Sequence, residues 1–369
     1  MGSAPRAVID LAALHYNLGR VRAAAPNSRI LAVVKANAYG HGLLRIAKAL
    51  ERAADALAVA RIGEGIALRQ AGISCQIVVL EGGAGQQELD LAVAHRLELV
   101  VHHPEQLRQL QQYKTHTPLV CWLKVDTGMH RLGLPAASAP AAYQALSGCC
   151  AVAGKPRLMT HFANADDPAD PATLTQWQLF QSMTSMLGAE ASAANSGAIL
   201  GWPETCADWV RPGIMLYGVS PFLNGRAEVD DLSPVMTLQS QLIAVNHYKK
   251  GDAIGYGGSW ICPQDMAVGV VSIGYGDGYP RHAPPGTPVL LNGQRVPLVG
   301  RVSMDMITLD LRGCPQARVG DPAILWGVGL PVEEIASAAG TIPYQLLCGV
   351  AARVDFIEGQ VSDGQTESR

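Results

Sequence analysis

The sequence predicts an α/β chain in which an N-terminal (β/α)8 barrel is followed by a mostly β C-terminal domain. From Asp10 to about Gly218, short apolar runs alternate with amphipathic stretches, which is typical of parallel strands joined by crossover helices. After residues 221–225 the chain changes to β-rich runs broken by glycine and proline. We therefore expect a barrel over residues 7–224, a β-rich domain over 225–360 and a disordered polar tail over 361–369.

The first region contains eight candidate strands, which end near Lys35, Ala60, Leu80, Val101, Val125, His161, Asn195 and Leu216. Helical patterns lie between them at Leu43–Leu50, Ile62–Gln70, Gln87–Ala94, Glu105–Tyr113 and Leu174–Leu187. Eight strand–helix units in a stretch of this length favour a closed TIM barrel. An open doubly wound sheet is the alternative, but no Gly-x-Gly-x-x-Gly turn follows the first strand.

The second region has the spacing of a β domain. Its candidate strands are Val235–Val245, Met266–Ile273, Pro288–Asn292 and Met306–Leu311. One amphipathic stretch, Val332–Ala339, predicts a helix among them.

Composition excludes several classes of protein. The net charge is -3 and the basic residues are spread along the chain, so we expect no nucleic-acid partner. No apolar run approaches the roughly 18 residues of a membrane span, and the first residues contain no apolar signal core, so we expect a cytoplasmic protein that does not bind membranes. The eight cysteines form no Cys-x-x-Cys pair and have no histidine at zinc spacing, which predicts buried reduced thiols and no metal site.

Lys35 lies within the most informative stretch, residues 33–42, which read Val-Val-Lys-Ala-Asn-Ala-Tyr-Gly-His-Gly. The apolar run before Lys35 predicts a buried strand, so this lysine lies at the strand's carboxyl end. Desolvation there lowers the pKa of the amine, which suits it to forming an imine with an aldehyde. Taken alone, Lys35 is explained equally well as a lysine that extends from a strand end into solvent.

The barrel fold also predicts where reactive residues should lie. In a (β/α)8 barrel, the site is built by loops at the carboxyl ends of the strands. Five residues that stand out by type fall at such ends: Lys35, Lys124, His161, Asn195 and Ser196. The predicted fold and the candidate chemistry therefore agree.

Residues 35–42 resemble the pyridoxal-phosphate lysine motif of alanine racemases. Further strings resemble that family in the same order across nearly the whole chain, at residues 124–133, 161–163, 195–197, 211–214, 255–257, 274–279 and 301–305. One such string is weak, but the ordered set is specific. The resemblance implies a (β/α)8 barrel plus a β domain, the cofactor pyridoxal 5'-phosphate, and interconversion of L- and D-alanine.

Racemisation requires two acid/base groups, one on each face of the substrate α-carbon. The resemblance implies that Lys35 serves one face and Tyr256 of the partner subunit serves the other, within a homodimer that shares its active sites. Taken alone, Tyr256 in a Gly-Tyr-Gly turn is a loop aromatic. A free tyrosine has a pKa near 10, so its neighbours must favour the phenolate.

The phosphate cradle can be argued from the residues. Gly213 and Ile214 follow Pro212 at a turn where backbone N–H groups can approach a phosphate, and Ser196 offers a hydroxyl. Gly213 alone is equally a plain turn glycine. The resemblance adds the phenols of Tyr39 and Tyr344 to the same phosphate, and adds Asn195 to the cofactor-binding residues.

The remaining roles come from the resemblance. Arg211 would face the pyridine nitrogen and keep it unprotonated, or else form a structural ion pair; His161 would stack behind the ring, or else be a core histidine. Arg131 would hold the cofactor's phenolic oxygen and the substrate carboxylate, since a guanidinium fork suits planar anions. Lys124 would be carbamylated, or else form a surface pair with Asp126. Met304 would bind substrate, and Tyr275 and Asp305 would narrow its entrance.

Two other functions remain as alternatives. A broad-specificity amino-acid racemase needs a wider pocket than Tyr275 and Tyr344 suggest. A non-catalytic pyridoxal-phosphate-binding protein is a single barrel, and the second half of this chain argues against it. Basic amino-acid decarboxylases share the two-domain plan, but their glycine-triplet phosphate loop and Cys-Glu-x-Gly-Asp string are absent from the sequence.

Overall fold

A computed structural model describes residues 4–361 of the chain. It divides into two compact units. The barrel unit comprises His15–Leu216 and Pro221–Gly225, and the strand-rich unit comprises the described parts of Met1–Leu14, Tyr217–Ser220 and Arg226–Arg369. The tail that we predict to be disordered falls, from residue 362 onward, outside the described residues.

The first elements of the chain are β1 (Arg6–Ile9) and α1 (Leu11–Ala24). The barrel unit then contains nine parallel strands over residues 15–225: β2 (Arg29–Val33), β3 (Ala56–Val59), β4 (Gln76–Val79), β5 (Glu98–Val101), β6 (Cys121–Asp126), β7 (Leu134–Pro135), β8 (Arg157–Met159), β9 (Ala191–Ser192) and β10 (Trp209–Val210). Eight of them close a ring in the order β5-β4-β3-β2-β10-β9-β8-β6, since β5 also pairs with β6. The predicted closed barrel is confirmed, and the open sheet is excluded.

Helices connect the barrel strands. They are α2 (Lys35–Tyr39), α3 (Leu43–Leu50), α4 (Ile62–Gln70), α5 (Gly85–Ala94), α6 (Pro104–Gln112), α7 (Ala139–Ser147), α8 (Ala172–Leu187) and α9 (Ser196–Gly201). In α2, the residues after Lys35 are left-handed. The bounds of α3 and α4 coincide with the predicted ones. The predicted helices that correspond to α5, α6 and α8 differ from the observed ones by one or two residues at an end.

The last predicted barrel strand is placed wrongly. It ends at Val210, and Ile214–Tyr217 form a 3-10 turn where we expected a strand near Leu216. Every side chain of that turn is at most 1 % exposed. The apolar run therefore reflects burial on all sides, which an apolar stretch reports equally for a strand and for a buried turn.

Aromatic and charged side chains fill the amino end of the barrel. The Trp122 and Trp209 rings meet edge to face with centroids 5.7 Å apart. The Trp122 indole donates to Glu98 Oε2 at 2.8 Å, and Arg157 donates to the same oxygen at 3.0 Å and to Glu190 Oε2 at 2.9 Å. The Arg157 guanidinium lies 5.0 and 5.3 Å from the two indole centroids. This cluster forms the barrel floor.

The strand-rich unit adds β11 (Met236–Tyr248), β12 (Ala253–Ile254), β13 (Trp260–Ile261), β14 (Met266–Val271), β15 (Pro288–Leu291), β16 (Gln294–Val299), β17 (Ile307–Asp310), β18 (Pro322–Trp326) and β19 (Asp355–Glu358), with helices α10 (Val332–Ala338) and α11 (Pro343–Cys348). Strands β14-β17-β16-β15-β18-β11 form a ring of antiparallel pairs. The predicted mostly β domain is confirmed.

The first strand of the chain lies in this second sheet. β1 pairs antiparallel with β11 and parallel with β19, although we expected the barrel to begin at residue 7. These pairings join positions more than 200 residues apart, so the local pattern around Ala7–Ile9 contains no sign of them.

Two further expectations concern the whole chain. All eight cysteines are reduced, but Cys75 and Cys206 are partly exposed and Cys150 and Cys348 are exposed, so the prediction of buried thiols holds for only four of them. Among residues 4–361, no helix combines the length and the apolarity that a membrane crossing needs.

Candidate active site

Lys35 lies just past the carboxyl end of β2, as expected. β2 and β10 are neighbours in the ring, and the Val33 N–H donates to the Pro212 carbonyl at 3.0 Å. Lys35 and Gly213 therefore follow adjacent strands. Burial lowers the pKa of the half-buried Lys35 amine, and the nearby charge of Arg131 lowers this pKa further.

The turn after Lys35 is left-handed. Ala36, Asn37, Ala38 and Tyr39 have φ angles of 54°, 54°, 54° and 52°. L-residues lose about 1–2 kcal/mol each in this conformation, and non-glycine residues normally adopt it singly. Four in a row store strain that the surrounding contacts must offset.

Several hydrogen bonds hold this left-handed turn. The Ala36 N–H donates to Glu64 Oε1 at 2.8 Å, and the Leu43 N–H donates to Asn37 Oδ1 at 2.8 Å. The ring of His41 is completely buried, and its Nδ1 lies 3.1 Å from the Ala38 carbonyl and 3.0 Å from the Tyr39 carbonyl. Burial lowers the pKa of His41 to about 4, so the ring is neutral near pH 7 and Nδ1–H is the donor.

The turn brings Tyr39 against Gly213. A Cβ on Gly213 would lie 2.4 Å from Tyr39 Oη, so no larger residue fits there without displacing the phenol. Ser196 Oγ accepts the Gly213 N–H at 2.9 Å. The predicted cradle residues Tyr39, Ser196 and Gly213 are thus in contact, and Ile214 follows them, 1 % exposed.

Asn195 and Gly197 explain how the short helix α9 presents Ser196. The Asn195 side chain caps the helix by accepting the Ala198 N–H at 3.0 Å. A Cβ on Gly197 would lie 2.2 Å from the Ala165 carbonyl oxygen, so the helix approaches its neighbouring loop at glycine distance. Asn195 therefore orders the backbone around Ser196.

Arg211 is buried and fully engaged by the barrel. Its Nη1 donates to Ser192 Oγ at 2.7 Å, and its Nη2 lies 2.5 Å from the Thr160 carbonyl and 3.0 Å from the Ala193 carbonyl. Burial lowers its pKa to about 10, so the guanidinium stays charged at neutral pH. The alternative of a structural ion pair does not describe these contacts, because the acceptors are hydroxyl and carbonyl oxygens.

His161 and Lys124 share this cationic surrounding. His161 Nδ1 lies 3.2 Å from Arg211 Nη2, and burial together with the Arg211 charge holds the pKa of His161 well below its usual value. Nδ1 of the neutral ring therefore accepts a hydrogen bond from Arg211. Lys124 is buried, and burial followed by the charges of Arg211, Arg131 and Lys35 lowers its pKa to about 8. Arg131 itself is exposed.

The other predicted site residues lie in the strand-rich unit. Tyr256 occupies a 3-10 turn between Gly255 and Gly257, whose φ angles are 71° and 73°, and its side chain is 70 % exposed. Tyr344 is the second residue of α11 and is 38 % exposed. Both phenols are therefore accessible on this unit's own surface.

Tyr275, Met304 and Asp305 lie on two loops that are joined by hydrogen bonds. The Tyr275 N–H donates to the Ser303 carbonyl at 3.0 Å, and the Gly276 N–H donates to the Met304 carbonyl at 2.9 Å. Arg353 adds a clamp, because its Nε donates to the buried Asp277 at 2.7 Å and its Nη2 donates to Asp305 at 2.6 Å.

Sequence reasoning missed four residues that support these sites. Thr160 and Ser192 are polar residues at the ends of apolar barrel runs, a signal that could have revealed the Arg211 acceptors. Glu64 reads as an ordinary acidic residue in the first turn of a helix. Arg353 gives no local signal, since its partners Asp277 and Asp305 are 76 and 48 residues away in sequence.

Comparisons with known proteins agree with this geometry. The family models "Alanine racemase, N-terminal domain" and "Alanine racemase, C-terminal domain" match residues 9–221 and 235–358. The alanine racemase of Nitrosococcus oceani is 56% identical over 95% of this chain and 98% of its own length, and that of Halorhodospira halophila is 50% identical over 99% and 100%.

Solved structures give the same result. The biosynthetic alanine racemase of Pseudomonas aeruginosa has a TM-score of 0.93 and 42% identity, covering 97% of this chain and 100% of its own. The alanine racemase of Bartonella henselae, solved with covalently bound pyridoxal phosphate, has a TM-score of 0.87 and 27% identity, covering 97% of this chain and 100% of its own. With the barrel, the β domain and the ordered motifs in place, the chain belongs to the alanine racemase family of isomerases.

Proposed function

We propose that this chain is a pyridoxal-phosphate-dependent racemase that interconverts L- and D-alanine and thereby supplies or degrades D-alanine. The observation that carries the proposal is Arg211, a buried guanidinium fixed by Ser192, Thr160 and Ala193. A cation held rigidly beside the cofactor ring distinguishes racemisation from transamination, because it opposes protonation of the pyridine nitrogen.

The residues present fit the cofactor. Its phosphate needs several donors with little side-chain bulk, and the hydroxyls of Tyr39 and Ser196 converge with the Gly213 N–H at a corner that a Cβ would fill. Three cationic groups lie close enough to affect one another, because the charge of Arg211 lowers the pKa of both Lys35 and Lys124. An anionic ligand would relieve this repulsion. When bound, pyridoxal phosphate supplies an electron sink that acidifies the substrate α-hydrogen.

Lys35 and Tyr256 are the two acid/base groups in this proposal. The lowered pKa of Lys35 increases the fraction of neutral amine near pH 7, so Nζ can take the α-hydrogen as a proton on one face. The phenol oxygen of Tyr256, from the partner subunit, delivers or removes the proton on the other face. The exposure of Tyr256 on its own unit suits a residue that acts on another chain.

Arg131 and Lys124 position the reactants. The Arg131 guanidinium would bind the substrate carboxylate and the phenolic oxygen of the cofactor. With a pKa of about 8, buried Lys124 has an appreciable neutral fraction near pH 7, which is the form that combines with carbon dioxide. The resulting carbamate, formed with release of one proton, is an anion that would orient Arg131.

His161, Asn195, Ile214 and Tyr344 complete the cofactor site. The neutral His161 ring would stack on the pyridine, and Asn195 and Ile214 would line the cradle beside Ser196 and Gly213. Tyr344 would offer its phenol to the phosphate. Met304 would bind substrate, and Tyr275 and Asp305 would narrow the entrance; Arg353 bonds to Asp305 and to Asp277 beside Tyr275.

The first experiment uses the purified protein loaded with pyridoxal phosphate. We expect an absorbance band from the cofactor joined to Lys35, which the Lys35→Ala variant lacks. We also expect chiral chromatography to show that L-alanine and D-alanine each approach a 1:1 mixture. A persistent band in Lys35→Ala, or alanine recovered with unchanged chirality, would refute the proposal; faster racemisation of serine than of alanine would instead indicate a broad-specificity racemase.

The second experiment tests the shared site. One chain carries Lys35→Ala and the other carries Tyr256→Phe, each with its own affinity tag. In a heterodimer with shared sites, one site contains both substitutions and the other contains neither, so about half of the parent's activity returns. Purified heterodimer that is no more active than either homodimer would exclude this arrangement.

A further inference from the structure

Glu64 binds three backbone N–H groups with one carboxylate. Its Oε2 accepts the Ala60 N–H at 2.8 Å and the Arg61 N–H at 3.2 Å. Its Oε1 accepts the Ala36 N–H at 2.8 Å. The first two bonds cap α4. The third joins the first turn of α4, which follows β3, to the start of the left-handed turn after the neighbouring strand β2.

Gln106 shows what capping alone requires. It lies in the first turn of α6, and its single acceptor oxygen Oε1 binds the His102 N–H at 2.9 Å and the His103 N–H at 3.2 Å. A neutral amide therefore suffices to cap a barrel helix in this protein. The α4 cap does not need the second oxygen of Glu64, Oε1, and this oxygen accepts the Ala36 N–H.

The left-handed turn determines where two site residues lie. Lys35 and Tyr39 are four residues apart, so one helical turn sets their separation, and the Tyr39 phenol packs on Gly213. The Ala36 N–H is the first amide after Lys35 and begins the strained segment. A fixed acceptor at this point holds the lysine backbone in register with the cradle.

We propose that Glu64 is a positioning residue for Lys35: its Oε1 holds the left-handed turn, and thereby sets the distance from the amine to the Tyr39–Gly213 corner. This inference rests on the proposed function, in which Lys35 carries the cofactor and moves the proton. The carboxylate also contributes charge, because Glu64 raises the pKa of Lys35 against the larger lowering by burial.

The sharpest variant is Glu64→Gln. A glutamine has one acceptor oxygen and one NH2 group, so it can retain the two α4 cap bonds, as Gln106 does, while its NH2 faces the Ala36 N–H without forming a bond. Glu88→Gln is the matched control. Glu88 lies in the first turn of α5 and accepts the Ala84 N–H at 2.6 Å, and no contact with the left-handed turn is among its hydrogen bonds.

Hydrogen–deuterium exchange of the cofactor-free proteins gives a readout that does not depend on activity. We expect peptides over residues 35–42 to exchange about ten-fold faster or more in Glu64→Gln, because a bond to a charged acceptor is lost, with peptides elsewhere in the barrel unchanged. Glu88→Gln should leave residues 35–42 at the parental rate. Unchanged exchange in Glu64→Gln, an equal rise in Glu88→Gln, or a rise spread over the whole barrel would overturn the proposal.

Two measurements on the loaded enzyme complete the test. In Glu64→Gln we expect kcat for alanine to fall by roughly 10–100-fold with KM within about two-fold, as for a displaced catalytic group. The pH titration of the cofactor–lysine absorbance band should move to lower pH, because a negative charge near Lys35 is removed. A parent protein without racemase activity would refute the proposed function alone, since the exchange comparison does not use turnover.

Discussion

The contact between Gly213 and Tyr39 predicts a coupling that a double-mutant cycle can measure. In Gly213→Ala, the new methyl group would lie 2.4 Å from Tyr39 Oη, so the phenol must withdraw by about 1 Å to reach ordinary contact. Tyr39 is 8 % exposed and its backbone is held by the left-handed turn. Overpacking of this kind costs about 1–3 kcal/mol of unfolding free energy.

Removing the phenol oxygen should relieve most of that cost. In Tyr39→Phe the next ring atom, Cζ, lies 3.2 Å from the Cβ position, which requires a shift of only a few tenths of an ångström. Gly213 does not have a positive φ angle, so the backbone accepts alanine, and the lower entropy of the unfolded chain contributes about 0.4–1 kcal/mol of stabilisation. We therefore expect Gly213→Ala to cost about 1–2 kcal/mol in the parent and close to zero in the Tyr39→Phe background.

The assay is urea unfolding of the four cofactor-free proteins, followed by fluorescence titration of each with pyridoxal phosphate. The coupling free energy should be about 1–2 kcal/mol. If Tyr39 binds the cofactor phosphate as proposed, Gly213→Ala should also weaken cofactor binding, because it displaces the Tyr39 phenol. An equal cost of Gly213→Ala in both backgrounds, or a cost below about 0.5 kcal/mol in the parent, would show that Tyr39 moves freely and that the corner is not a built cradle.

Three further predictions concern stability. Ser192→Ala removes an acceptor from buried Arg211 and should lower the unfolding free energy by about 2 kcal/mol in urea, as expected for an unsatisfied charged donor. His41 has a pKa of about 4 in the folded protein and about 6.5 in the unfolded chain. Its contribution of about 3 kcal/mol to the unfolding free energy is therefore present above pH 6.5 and is lost as the pH falls to 4. Urea unfolding at several pH values should show that the unfolding free energy of His41→Asn falls less steeply below pH 6.5. Arg353→Met leaves the buried Asp277 carboxylate without its cation and should lower the melting temperature in a thermal unfolding scan.

Each of these has an outcome that would contradict it. Parental stability in Ser192→Ala would mean that Arg211 finds another acceptor at no cost. Parallel pH curves for the parent and His41→Asn would place the acid sensitivity elsewhere. An unchanged melting temperature in Arg353→Met, with Lys249→Met at the exposed Asp265 pair as the control, would show that Asp277 does not need this cation.

The sequence predicted the elements whose pattern is local. Helix α3 has regular apolar spacing and buries Ile46, Ala47 and Leu50, and the bounds of α3 and α4 coincide with the predicted ones. Lys35 could be placed at a strand end because an apolar run stops directly before it. Parallel strands buried on both faces give continuous apolar runs, and this is why the closed barrel could be recognised.

The rest depends on partners that are distant in the sequence. Ala36 and Ala38 have no residue type that indicates a left-handed turn, and their conformation is imposed by contacts such as the Glu64 carboxylate, 28 residues away from Ala36. The acceptors of Arg211 lie 18 to 51 residues away. β1 pairs with strands at the far end of the chain. Local periodicity contains none of these pairings.

The closed amino end of the barrel has a consequence for how solvent hydrogen reaches the site. Trp122, Trp209 and the ion pairs of Arg157 occupy the amino end of the barrel, so we expect small molecules to reach Lys35 from the carboxyl end. In heavy water, the deuterium that replaces the α-hydrogen of alanine should then enter by the same opening as alanine itself. A molecule bound at that opening should therefore lower the rate of deuterium incorporation and the rate of racemisation by the same factor.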